Sequence, residues 1–175
     1  ILTCRLTDRP LRPSVPDGFR HETQIVTTVP GAAQHNQHDV LSINAASAAL
    51  MISGIPFEGP IGAVRMAYSV DGEWIAHPTY EEADAGTFEL VVAGRDLDNG
   101  DVAVMMVEAG GTERSFEYYE DGAPKVDEAA LATALEECKQ YIKGVIALQR
   151  ELVEAAGTKP TMTYDVQVDY TDDIY

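Results

Sequence analysis

"DVLSINAASAALMIS" (residues 39–53) reads as a helix with both ends marked, and it decides what kind of fold the chain can adopt. Asp39 is the expected N-cap, and Gly54 stands where a helix closes in the left-handed conformation. Its middle, "NAASAA", is nearly all small side chains, so the helix can approach a neighbouring sheet or helix very closely. Strands follow it. "GAVRMAYSV" (62–70) and "EWIAHP" (73–78) flank Asp71-Gly72, and "TFELVVAG" (87–94) and "DVAVMMVEAG" (101–110) flank a loop containing Asn99-Gly100. Both dipeptides are hairpin turn signals. The run "VAVMMV" has no polar face, which predicts a strand covered on both sides. From Val126 to about Ala156, Leu131, Leu135, Cys138, Ile142, Val145, Leu148 and Leu152 recur at spacings of three and four. That is one long amphipathic helix.

Upstream, "ILTCRLTDR" (1–9) places Ile1, Leu2 and Leu6 on a helical period, which Pro10 should end or kink. "TQIVTTV" (23–29) is rich in β-branched residues and predicts a strand, followed by the polar loop "PGAAQHNQH". Downstream, "TMTYDVQVDY" (161–170) alternates as a short edge strand or an extended connector would. The expected fold class is α+β: a mixed β-sheet packed against helices, with a long C-terminal helix.

With 175 residues, 45% hydrophobic and 23% charged, the composition is that of one ordinary globular domain. No apolar run approaches the ~20 residues of a membrane span, and no secretory leader pattern is present. Cys4 and Cys138 have no metal-ligand spacing; free or buried thiols point to a reducing, cytoplasmic compartment. Because Ile1 already belongs to an ordered apolar pattern, the chain is expected to be an internal piece of something longer.

The net charge of −17 argues against broad nucleic-acid binding, but the charge is unevenly spread. Residues 1–13 carry three arginines against one acid, while the other 162 residues hold nine bases against 28 acids. On a helix Arg5, Arg9 and Arg12 share one face. They can meet phosphates, for which guanidinium forks are suited, or pair with Asp8 and acids elsewhere. His35, His38 and Asp39 have loose metal-ligand spacing, but their setting is that of a solvated turn. "EEAD" (81–84) offers carboxylates for Mg²⁺ or forms a hydrated loop. Glu89 interrupts an apolar strand, where an ionised carboxylate must be paired, exposed or functional. There is no P-loop, Rossmann glycine pattern, nucleophile elbow or zinc-ligand array.

"ILTCRLTDRPLRPS", then "INAASAALMISGIPFEGPIGAVRMAY", "FELVVAG" and "VAVMMVEA" in order, resemble the bacterial polynucleotide phosphorylase family. The form most similar is the actinobacterial one, also described as a guanosine pentaphosphate synthetase. The resemblance implies that residues 1–157 are the later part of the first of two ribonuclease PH-like domains, its start missing. Residues 158–175 would be an extended connector toward a helical domain. The implied activity is phosphate-dependent 3′→5′ exoribonuclease chemistry in RNA degradation, reversible to tail addition, with Mg²⁺ and phosphate. The implied assembly is a cytoplasmic homotrimeric ring around single-stranded RNA, open to other RNA-degradation proteins, with Arg5, Arg9 and Arg12 near the RNA path.

Catalysis does not carry over residue by residue. The family's active half binds phosphate on a serine turn, and the matching positions here read Asn36, Gln37, His38 and Asp39. Glu89 falls on one of two catalytic aspartates, Ala83 on the other and Val91 on a lysine. This half is therefore expected to hold no catalytic residue and no metal site, serving ring assembly and RNA contact. Two alternatives are pyrophosphoryl transfer making guanosine pentaphosphate in this half, and a purely structural ring-forming module.

Overall fold

In the computed structural model, residues 1–168, 170 and 174 are described. α1 (Leu2–Leu11) buries Leu6, Pro10 and Leu11 and leaves its arginines outward. The helix ends close to Pro10, as the sequence predicts. The helix runs one residue further and tightens into a 3₁₀ turn at Arg12–Ser14, where the Ser14 hydroxyl donates to the Pro10 carbonyl at 3.1 Å.

α2 (Asp39–Ser53) closes on Gly54 at φ +82°, as expected. Its first boundary residue is His38 rather than Asp39, which is instead the first helical residue. Four strands follow: β1 (Gly62–Tyr68), β2 (Trp74–Ala76), β3 (Phe88–Asp96) and β4 (Val102–Gly111). They lie in the order β2-β1-β3-β4, and every pair is antiparallel. The α+β class holds, but the described sheet is antiparallel throughout rather than mixed. β1–β2 and β3–β4 are hairpins, and the short α3 (Tyr80–Asp84) returns the chain to the opposite edge of β1. Gly72 at φ +87° and Gly100 at φ +81° make the turns that the Asp-Gly and Asn-Gly pairs signal.

The sheet is a middle layer. Leu6, Leu11, Ile43 and Leu50 pack on the face carrying Ala63, Val91 and Ala93. α5 (Glu128–Ala156) covers the face carrying Val64, Met66, Leu90 and Val92, through Ala134, Cys138, Ile142 and Ile146. β2 is too short to pair with all of β1, and side chains complete that edge. Asn44 accepts from the Ala63 N–H at 2.8 Å and donates to its carbonyl at 3.1 Å. Ser47 accepts from the Ile61 N–H, and Gln149 donates to the Ile61 carbonyl, both at 2.8 Å. The small residues of α2 permit this approach. Burial between α5 and the sheet pushes the Cys138 thiol up, from 9.0 to about 12, so it stays protonated.

Three further expectations are corrected. "TQIVTTV" forms no strand, and Ile25, Val26 and Val29 are exposed. β-Branched composition makes a strand only beside an edge that can pair with it. β4 is not covered on both sides: it is the sheet's last described strand, and Val104 and Val107 are each 38% exposed. The stripe of α5 is rotated, since Ile146 and Gln149 are buried while Leu148 and Leu152 are exposed.

α4 (Ser115–Glu120) and α3 are short helices that no periodicity announces. After α5 the chain runs extended, with Met162 N–H donating to Gly54 O at 2.9 Å and Gln167 N–H to Gly18 O at 3.1 Å. Of the segment 158–175, residues 169, 171–173 and 175 lie outside the described residues. No helix among the described residues is long and apolar enough to cross a membrane.

Candidate functional site

The three arginines of the basic N-terminal stretch meet different fates. Arg9 pairs with Glu108 of β4, which ties α1 to the sheet. Arg12 grips Asp8 with two parallel bonds, Nε to Oδ2 at 3.0 Å and NH2 to Oδ1 at 2.7 Å. Those hydrogen bonds, and then the charge of Asp8, push the Arg12 pKa up. The side chain of Arg5 has no hydrogen-bond or ion-pair partner among the described residues. Both pairs are open to solvent, with side chains 44% and 48% exposed for Arg9 and Glu108, and 76% and 51% for Arg12 and Asp8. Exposed pairs are worth about 0–1 kcal/mol, so an incoming phosphate can displace either carboxylate at small cost. Arg5 and Arg12 also line a cleft of about 710 Å³ between α1 and the extended segment 23–29, where Ile25 and Val29 contribute apolar wall.

A second cluster lies on the α2 face of the sheet, and the residue-by-residue reading of the sequence did not join its members. Arg65 on β1 donates through NH2 to Asp39 Oδ2 at 2.5 Å and through NH1 to Glu89 Oε2 at 2.9 Å. Gln37 Nε2 donates to the other Glu89 oxygen at 3.3 Å. The register explains the meeting. Arg65 sits opposite Val91, so Glu89, two residues away on β3, is its diagonal neighbour on the same face. Asp39 arrives from the first turn of α2. The Arg65 side chain is 10% exposed and that of Asp39 12%, so these charges are held away from water and depend on one another. A signal was available: "GAVRMAY" and "TFELVVAG" each hold one lone charge, opposite in sign, in otherwise apolar neighbouring strands.

Glu89 is thus paired, which accounts for an ionised group in that strand. Asp39, at the position that the resemblance matches to a phosphate-binding turn, is neutralised from within. A Mg²⁺ ion does not fit this locus, because a guanidinium already lies between its two carboxylates. His35 serves through its carbonyl, which accepts from Tyr80 N–H at 2.8 Å, and His38 is exposed at the α2 boundary. "EEAD" is no hydrated loop but part of α3. Thr79 and Glu82 form a reciprocal cap there, whose hydrogen bonds hold the Glu82 carboxyl below its ordinary value. Among the described residues no three His, Cys, Asp or Glu side chains are grouped to hold a metal.

Residues 1–56 match the family described as "3′ exoribonuclease family, domain 1". The whole chain is 49% identical over 175 residues to the polyribonucleotide nucleotidyltransferase of Acidothermus cellulolyticus. It is 50% identical over 175 residues to that of Salinispora arenicola, and 49% over 177 to that of Mycobacterium tuberculosis. The chain spans 22% of the length of the first two relatives and 23% of the third. Motif order, the helix-covered antiparallel sheet and half-identity along its full length make this chain a segment of a ribonuclease PH-type domain, of the kind found in the actinobacterial polyribonucleotide nucleotidyltransferases.

Proposed function

We propose that the chain is the later part of the first of two ribonuclease PH-like domains in a polynucleotide phosphorylase. That enzyme is a phosphate-dependent 3′→5′ exoribonuclease using Mg²⁺, and this half is its non-catalytic part. The chain's role is to build a homotrimeric ring in the cytoplasm and to contact single-stranded RNA entering it. One observation carries the non-catalytic assignment: the two carboxylates nearest the expected site, Asp39 and Glu89, both bind Arg65. Phosphoryl transfer needs carboxylates free for a metal and cations free for phosphate. Here each sign consumes the other. Supplied with poly(A), phosphate and Mg²⁺, the chain by itself is expected to release no nucleoside diphosphate above background. Turnover by a preparation shown free of full-length enzyme overturns the assignment.

RNA contact rests on Arg5, exposed and unpaired at the cleft, with Arg9 and Arg12 recruitable from weak pairs. In the full-length ring, Arg5→Ala is expected to lower the single-strand salt slope by about 0.7, the loss of one phosphate contact. Adding Arg9→Ala and Arg12→Ala should flatten it further only if RNA displaces Glu108 and Asp8. The ion pairs themselves favour a second reading for those two residues, in which they fasten α1 within a structural ring module. Unchanged affinity and slope in the triple variant select that reading.

A further inference from the structure

We propose that β4 is a pairing edge filled by a second copy of this chain, whose own β4 runs antiparallel to it across a two-fold axis and joins two sheets into one. The two edges of the sheet differ. On one side β2 spans only Trp74–Ala76, and beyond it Asn44, Ser47 and Gln149 take up backbone groups of Ile61 and Ala63. On the other side β4 runs for ten residues, and among the described residues no other segment pairs along its outer side. Strand edges that must stay single are kept short or carry lysine or proline. β4 is long and contains neither residue. Its one irregularity is Met105, which has no counterpart on β3, and Met106–Gly111 continue as a regular run.

Charge selects the occupant. At a net charge of −17, two copies of the chain repel each other across acidic surface. Between Val102 and Gly111 the only ionisable side chain is Glu108, and Arg9 neutralises it. A second copy can therefore approach along this edge without meeting unpaired charge. The register also suits self-pairing. Val107 stands opposite Val92 on the α5 side, and Glu108 stands opposite Val91 on the α1 side. A two-fold axis at Val107 sets that residue beside its counterpart and Glu108 beside Met106, so no like charges are opposed. Val104 and Val107, each 38% exposed, gain cover at the same time.

Light scattering over a range of concentrations tests this. The natural chain should form a reversible dimer of twice the 19.0 kDa of one chain. Its dissociation constant should be on the order of 10 µM, because a shared strand edge is smaller than a standard interface. Val107→Lys should stay monomeric at about 100 µM, since lysine on an edge strand opposes pairing. At about 1 µM, where both proteins are monomers, its thermal midpoint should match that of the natural chain within about 2 °C. A cysteine pair reads the geometry. Cys4→Ser, Val107→Cys should form an intermolecular disulfide at least about tenfold faster than Cys4→Ser, Phe116→Cys, because only the first pair meets across the axis. Phe116 is the more exposed position, at 70%, so exposure alone predicts the reverse order. A natural chain that is monomeric at about 100 µM overturns the proposal. So does a dimer that survives Val107→Lys, or a cysteine at the Val107 position that links no faster than one at the Phe116 position. If Val107→Lys does not fold, the cysteine comparison decides alone.

Discussion

Replacing Arg65 with methionine is expected to destabilise the chain by about 3–5 kcal/mol, a large loss for a surface-to-core charge cluster. Methionine fills much of the aliphatic volume, so packing is not the main deficit. What is lost is the cation that holds Asp39 and Glu89, whose side chains are 12% and 32% exposed. Asp39 suffers more, being deeper and bonded at 2.5 Å, whereas Glu89 can lean on Gln37 and solvent. The triple variant Arg65→Met, Asp39→Asn, Glu89→Gln should recover much of the loss, since removing every member of a buried ionic cluster costs far less than removing one. Urea unfolding of the two variants beside the natural chain measures both. A loss under about 1 kcal/mol for Arg65→Met would mean that water reaches the cluster and screens it.

The same cluster marks where reading the sequence runs out. Features that rest on local chemistry were legible: the helix at 39–53 with its glycine stop, the Asp-Gly and Asn-Gly turns, and the existence of the long C-terminal helix. Each depends on residues within a few positions of one another. Arg65 is 26 positions from Asp39 and 24 from Glu89, and only strand register brings them together. Edges were equally illegible. The apolar run of β4 suggested two covered faces, yet a strand's exposure depends on what lies beside it, and β4 ends the described sheet. For residues 23–29, β propensity was real, but the segment pairs with no strand of the described sheet. The arginine face of α1 was legible as a face. Which of its members would be free was not, because Glu108, the partner of Arg9, comes 99 residues later.

The rotation of the α5 stripe supplies the second large expected effect. Spacings of three and four suit two overlapping faces of a helix, and Val145, Ile146, Leu148, Gln149 and Leu152 offer candidates on both. The sequence pattern favours Leu148 and Leu152, because leucine is apolar and glutamine is not. The structure selects Ile146, 1% exposed, and Gln149, 4% exposed, leaving Leu148 64% exposed. Gln149 wins because the short β2 leaves the Ile61 carbonyl unpaired, and its amide N–H reaches that carbonyl at 2.8 Å. Once Gln149 faces β1, Ile142 and Ile146 are drawn onto Val64 and Val92. Gly62 makes room, since a Cβ there would lie 2.8 Å from the Ile142 carbonyl oxygen and 3.2 Å from the Ile146 side chain. Ile146→Ala should therefore leave a cavity under close-packed neighbours and cost about 2–4 kcal/mol. Leu148→Ala in the same chain should cost less than about 0.5 kcal/mol, as for a surface change. Urea midpoints for the two variants compare the faces directly. Equal losses, or a larger one at Leu148, would place the stripe where the sequence pattern alone puts it and would remove the basis for the Gln149 contact with β1.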